Sequence, residues 1–236
     1  MKEDIGINCR PGFCRGFLYS IDKKFGGIKM KNNKLNKMIK VSMLSVIAFL
    51  LMFLELATPF FPPFLKFDIS DLPALIGAFA LGPIAGVAIE LIKNILHGIF
   101  VGGTAFIGEF ANFLVGSVFV FSAGLYYSKN KSRKNAIIAI VLGTILMTVA
   151  ASVFNYYILL PLYEKVLNFP VAAVVGMGRA INPNIKDLNT FVIWAIMPFN
   201  LLKGIIIGLI TVPIYKRISL MINNEIAINT KTAKSN

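Results

Sequence analysis

Composition excludes a water-soluble globule: 56% of the 236 residues are hydrophobic, 15% are charged, and the mean hydropathy is +0.73. A membrane crossing takes about 20 apolar residues, so five or six crossings use most of this length and leave little for a soluble catalytic domain. The net charge of +13 does not point to nucleic acid, because 18 of the 24 Lys and Arg fall in three places: before Val41, over Lys129–Lys134, and from Lys216 onward. Basic clusters at span ends are the mark of cytoplasmic loops. Cys9 and Cys14 are the only cysteines. Their C-x4-C spacing, with no second pair or His nearby, supports neither a metal site nor a disulfide.

In chain order, residues 1–29 mix charge, Gly and aromatics without periodicity and lack the apolar core of a signal peptide. Met30 opens MKNNKLNKMIK, an ordinary basic lead-in to a membrane span, and is expected to be the physiological start. Residues 1–29 then form an upstream extension or a disordered tail, 30–218 the membrane domain and 219–236 a cytoplasmic tail. Span one is expected over Met38–Leu56. Ser42, Ser45 and Ala48 make a small-residue stripe on it, suited to close approach of another helix. The stretch PFFPPFLKFDISDLP follows, and Pro59, Pro62 and Pro63 hold it extended. It reads as a flap that ends where Asp68, Ser70 or Asp71 caps span two.

Spans two and three, Leu72–Leu81 and Ile84 to about Phe100, form a hairpin broken at Gly82-Pro83. Span four covers Ala105–Tyr126, span five Ala136–Leu160 and span six Phe191–Tyr215, with a long loop over 161–188. An even number of crossings must separate the basic N-terminal region from the basic loop at 129–134, and again that loop from the basic C-terminal segment. The expected fold is therefore an all-α membrane protein of six transmembrane helices with both termini cytoplasmic. No period of 20–50 residues repeats.

Polar residues recur at one depth. Asn200 lies six residues, about 9 Å, below Trp194. Asn155 precedes Pro161 by the same number. Glu109 and Asn112 on span four, and Lys93 and Asn94 on span three, reach a similar level. Asn200 and Lys203, three apart, share a helix face. Amides supply donors and acceptors and Lys supplies donors, so an outward-facing pocket is the leading interpretation. The competing one pairs Lys203 with Glu109 or Glu90 in a buried bridge. His97, the single histidine, reads as an interfacial residue rather than a metal ligand. No phosphate-binding loop, nucleophile elbow or H-E-x-x-H motif occurs, so no enzymatic activity and no cofactor are expected.

Four stretches together resemble a known family: FFPPFLKFDISDLPALIGAFALGPIAG, GEFANF (108–113), NYYILLPLY (155–163) and MPFNLLKG (197–204). They are similar to the riboflavin-specific S component of energy-coupling-factor (ECF) transporters, over roughly Lys37 to Arg217. The resemblance implies a plasma-membrane subunit of six helices that captures riboflavin outside. It passes the vitamin to a transmembrane coupling protein served by two ATPases. It also implies that Asn155, Asn200 and Lys203 contact the flavin, joined by Glu109 and Asn112. The loop after span one, with Lys66, Phe67 and Asp68, closes over it. Small residues on span one contact the coupling protein, which falls here on Ser42, Ser45 and Ala48. Two alternatives are an S component for another vitamin and a stand-alone secondary transporter, which would show inverted repeats or a full-depth carboxylate relay. From sequence alone, Lys203→Ala is expected to weaken binding with little change in stability.

Overall fold

The computed structural model describes residues 33–101 and 106–214. The expected extension at 1–29, the C-terminal tail and the last basic cluster lie outside these residues. The chain divides into two compact units, Met1–Ile39 and Lys40–Asn236. Of the first, only 33–39 are described, as helix; the candidate site lies wholly in the second.

Helix α1 (Asn33–Met52) ends in tight turns, Phe53 N–H to Leu50 O and Leu54 N–H to Leu51 O. Pro59, Pro62 and Pro63 then prevent further helix. Two short strands, β1 (Leu56–Ala57) and β2 (Lys66–Phe67), pair antiparallel with Leu56 opposite Phe67. The stretch read as a flap is thus folded back on itself as a hairpin. Two of its aromatic residues are anchored: Phe61 packs edge-on against Phe199 at 5.3 Å, and Phe64 lies 6.1 Å from Phe191.

Helix α2 (Asp71–Leu81) is the central element, with eight of its eleven residues buried. Eleven residues span about 16 Å, half of a bilayer core. Gly82 follows at φ 101°, a conformation that side chains resist, and turns the chain directly into α3 (Pro83–Phe100), with Pro83 at its first position. The two helices meet closely because Gly86 lacks a side chain: a Cβ there would lie 2.7 Å from Ala78 Cβ and 3.0 Å from the Ala74 carbonyl.

Helix α4 (Ile107–Lys129) leads to Ser132, whose Oγ accepts from Asn135 N–H to cap the next helix. That helix, α5, runs over Arg133–Leu167, with a π turn at Asn155–Leu159. After Asn168, in the left-handed conformation, comes α6 (Val171–Ile181). A capping box built by Asp187 and Thr190 then starts α7, Leu188–Ile214, which has its own π turn at Val192–Ile196.

One core cluster is centred on α2, α3, α4 and α5, with Leu75, Ile89, Phe119 and Met147 fully buried. A second gathers Leu160, Val174, Ile185 and Phe191 around α5, α6 and α7. Large apolar side chains such as Met43, Leu50, Val141 and Leu209 remain exposed, as they must when lipid is the solvent.

Two expectations change. Among the described residues, five helices are long and apolar enough to cross a membrane, and α2 and α6 are shorter. The span reading at 72–81 correctly finds a helix, but a central one of half the length. The stretch 161–188 is no loop: α5 continues to Leu167, and α6 fills most of the remainder. Proline is tolerated as Pro170 at the N-cap of α6 and, in α5, as Pro161 just after a widened turn.

Candidate functional site

The hairpin, α2, α3 and α7 place five ionisable side chains in one buried cluster. Asp68, just after β2, folds into an Asx turn, its Oδ1 accepting from Ser70 N–H at 2.8 Å and from the Ser70 hydroxyl. Its other oxygen lies 3.2 Å from Lys203 Nζ on α7. Asp71, in the first turn of α2, receives Lys93 Nζ on one oxygen and has Lys203 Nζ at 2.9 Å from the other. Lys93 also donates to Ser70 Oγ at 2.8 Å and lies 2.9 Å from Glu90 Oε2, one turn earlier on α3. Three carboxylates therefore meet two ammonium groups, all almost fully excluded from solvent.

Burying such charges costs several kcal/mol each and is sustained only by pairing. The pairing is not complete. The Lys203–Asp71 and Lys93–Glu90 contacts are within ion-pair distance but off the hydrogen-bond direction. Glu90 Oε1 has no hydrogen-bond partner among the described residues.

Amides extend the cluster. Asn112 on α4 accepts from Lys203 at 3.3 Å and donates to Asn94 Oδ1 at 3.2 Å, and Asn94 donates to the Glu90 carbonyl. Lys203 thus has three protein oxygens within 3.3 Å. Asn200 donates to the Ile196 carbonyl at 2.9 Å, and Asn155 to the Ala151 carbonyl at 2.8 Å. Each of these two amides keeps its carbonyl oxygen and one N–H for another partner.

A second charged group is looser. Lys66 on β2 lies 2.6 Å from Glu55. His97 Nδ1 is 3.0 Å from Glu109 Oε1, and its Nε2 is 3.8 Å from Glu55. Asp68 and Lys203 of the first group and all four residues of the second line a cavity of about 540 Å³. The hairpin borders it with Phe64, Leu65 and Lys66. Val115 lines the α4 wall, Leu160 and Tyr163 that of α5, Val174 and Met177 that of α6, and Phe199 that of α7. A volume of this size, mostly apolar with a few convergent polar groups, suits a single small organic ligand.

Most of the polar layer read from the sequence is brought together: Asn155, Asn200, Lys203, Glu109, Asn112, Lys66 and Asp68 all line the cavity. Phe67 does not; it is buried beside it, paired with Leu56. Lys203 bridges to Asp68 and Asp71, not to Glu109 or Glu90 as the competing interpretation had it. Asp68 and Asp71 accordingly hold lysines, and no side chain caps α2. His97 is buried against Glu109 and does not sit at an exposed interface. Glu55, His97, Tyr163 and Met177 were missed as lining residues. The E-x-x-K spacing of Glu90 and Lys93, one face of one helix, was the available signal for the inner cluster. On α1, Ser45 and Ala48 are wholly buried in this chain, and only Ser42 of the small-residue stripe is exposed. Among the described residues, no group of three or more His, Cys, Asp or Glu is placed to hold a metal ion.

Residues 36–215 match the family described as ECF transporter, substrate-specific component. The chain belongs to that family. Among curated relatives of this S component, riboflavin transporter RibU of Staphylococcus aureus (strain TCH60) is 38% identical over 81% of this chain and 94% of its own length. Riboflavin transporter FmnP of Bacillus subtilis (strain 168) is also 38% identical, over 75% of this chain and 88% of its own. A solved structure described as the S component of a bacterial ECF transporter superposes with a TM-score of 0.64 at 36% identity. It covers 80% of this chain and 98% of that one. The S-component fold and a multi-pass location in the cell membrane follow for this chain.

Proposed function

We propose that this S component binds riboflavin in the 540 Å³ cavity and serves as the substrate-capturing subunit of an ATP-driven vitamin importer. The observation that carries the reading is the convergence of Asn112, Asn155, Asn200 and Lys203, from three helices, on one cavity with apolar walls. The names of the relatives agree with it. Riboflavin offers an edge of two carbonyls flanking an N–H, an apolar dimethyl edge and a chain of hydroxyls. An amide with one free N–H and one free oxygen complements the first, as Asn155 and Asn200 each provide. Leu160, Val174, Phe199 and Met177 suit the second. Glu109, His97 and Lys66, toward the opening, suit the third.

Lys203 donates to the ligand by giving up its longest protein contact, the 3.3 Å one to Asn112 Oδ1. Its two carboxylate partners hold it in place. The binding is non-covalent and needs no cofactor, and an apolar pocket with a few placed hydrogen bonds is compatible with nM affinity, about 12 kcal/mol.

The hairpin at 56–67 acts as the flap, held down by Phe61 on Phe199 and Phe64 on Phe191, and opens by releasing those ring contacts. The polypeptide crosses the membrane six times, the α2–α3 pair counting as two crossings, and both termini are cytoplasmic. ATP is hydrolysed by partner ATPases that act through a coupling protein. Within the small-residue stripe only Ser42 is exposed to meet that protein. The buried Ser45 and Ala48 let α1 lie close to its own bundle.

Calorimetric titration of the purified chain against a panel of vitamins tests the assignment. Riboflavin should bind in the nM range and the others far more weakly. Tighter binding of a different vitamin would reassign the pocket.

A further inference from the structure

The helices that carry Asn155 and Asn200 share an irregularity. Each contains one π turn, at Asn155–Leu159 in α5 and Val192–Ile196 in α7, and the two turns lie against one another. In each, the first residue accepts from the fifth residue on, Leu160 N–H to Asn155 O and Met197 N–H to Val192 O. The residue after that donor is a proline in both cases, Pro161 and Pro198. Proline has no N–H to give and its ring presses on the carbonyl four residues back, so a regular helical turn is disfavoured there and a wider one relieves the clash.

The extra residue of a π turn changes which side chains share a face. At about 100° per residue, Leu160 would lie about 140° around a regular helix from Asn155. With one residue taken up by the turn, the angle falls to about 40°. Tyr163 moves from about 80° to about 20° by the same count. Asn155, Leu160 and Tyr163 all line the cavity. In α7 the turn reduces the angle between buried Phe191 and Lys203 from about 120° to about 20°, and that between Val192 and Asn200 from about 80° to about 20°. The face that packs into the second core cluster before the turn thereby becomes the pocket face after it.

We propose that Pro161 and Pro198 are positioning residues for ligand binding, each pinning a one-residue excess in its helix so that the pocket walls on either side of the turn face the same cavity. The inference rests on the riboflavin reading. Alanine at 161 restores an N–H, which frees the excess residue to migrate toward 168–170 and takes Leu160 and Tyr163 off the face of Asn155.

The test uses the purified full-length chain, with quenching of riboflavin fluorescence for affinity and a thermal melt for folding. Pro161→Ala and Pro198→Ala should each raise Kd at least tenfold. Deleting Ile158 in the Pro161→Ala background leaves a regular helix with the original facing, and should bring Kd back to within threefold of wild type. Wild-type affinity in both proline variants would overturn the proposal. So would a folded deletion variant that stays as weak as Pro161→Ala. Pro198→Ala reads the second turn independently should the α5 variants melt too early. A wild-type chain that binds no riboflavin would instead contradict the proposed function on which the inference rests.

Discussion

Two charged groups lie at the cavity, and they differ in what their charges can do. The inner one, Asp68, Asp71, Glu90, Lys93 and Lys203, is sealed by α2, α3, α4 and α7, and Lys93 has no solvent exposure at all. The outer one, Glu55, Lys66, His97 and Glu109, sits where the hairpin meets α3 and α4, and the Lys66 side chain is 53% exposed. Both contain ion pairs shorter than 3 Å. Distance therefore does not rank them; desolvation does. A sealed pair stabilises only while both partners are present, whereas an exposed pair is screened and contributes little.

The largest expected effect follows from that asymmetry. Lys93→Ala leaves Glu90 without its cation in the core and Asp71 with Lys203 alone, and should cost about 3–5 kcal/mol of stability. Denaturant unfolding in detergent measures this. A loss below about 1 kcal/mol would mean that the inner cluster is hydrated and that the contrast with the outer one is false. Lys203→Ala should share this penalty, because its ammonium bridges Asp68 and Asp71. The expectation from sequence, of lost binding with little loss of stability, does not survive the geometry.

Next come the amides, which bear on the ligand more than on the fold. Asn200→Ala and Asn155→Ala should each weaken riboflavin binding by about 1–3 kcal/mol, read by titration, with melting temperatures close to wild type. Their helices retain the backbone bonds, and only the bond to the i−4 carbonyl is lost. Lys66→Ala should then cost less than about 1 kcal/mol of stability, and less still in high salt, as expected of an exposed pair with Glu55. Double-mutant cycles with Glu55→Gln at two salt concentrations measure it.

Smallest of all is Asp187→Asn. The Thr190 side-chain hydroxyl and backbone N–H both donate to the Asp187 carboxylate, and these hydrogen bonds hold it below its ordinary range. Its stabilisation of the α7 start is present above the ordinary carboxylate range and fades as pH falls through the depressed value. The variant should therefore flatten a slight acid-side loss of thermal stability and leave riboflavin affinity unchanged.

The five long apolar helices, the helix break at Gly82-Pro83 and the polar layer were legible in the sequence because each is a local pattern. Apolar runs exceed a bilayer's need, glycine and proline punctuate them, and Asn200 and Lys203 sit three apart on a helix. What the sequence hid depends on partners distant along the chain. Lys203 chooses Asp68, 135 residues away, and nothing in the spacing favours that carboxylate over Glu90 or Glu109. Asp68 and Asp71 looked like caps because they precede a helix, yet the lysines of α3 and α7 claim them. α6 was read as loop because eleven residues with two glycines and a flanking proline carry little helical signal of their own. Its burial of Val174 and Gly178 comes from the second core cluster. The π turns escape periodicity altogether, since a single extra residue leaves the apolar pattern of α5 and α7 intact on either side.

The account rests on amides from α5 and α7 holding a flavin between them. Its most direct test is a riboflavin titration of Asn155→Ala, Asn200→Ala and the double variant, beside the wild-type chain, followed by flavin fluorescence. The account expects nM binding in the wild type, a loss of about 1–3 kcal/mol in each single variant and a larger loss in the double. Three variants that titrate like the wild type would contradict it.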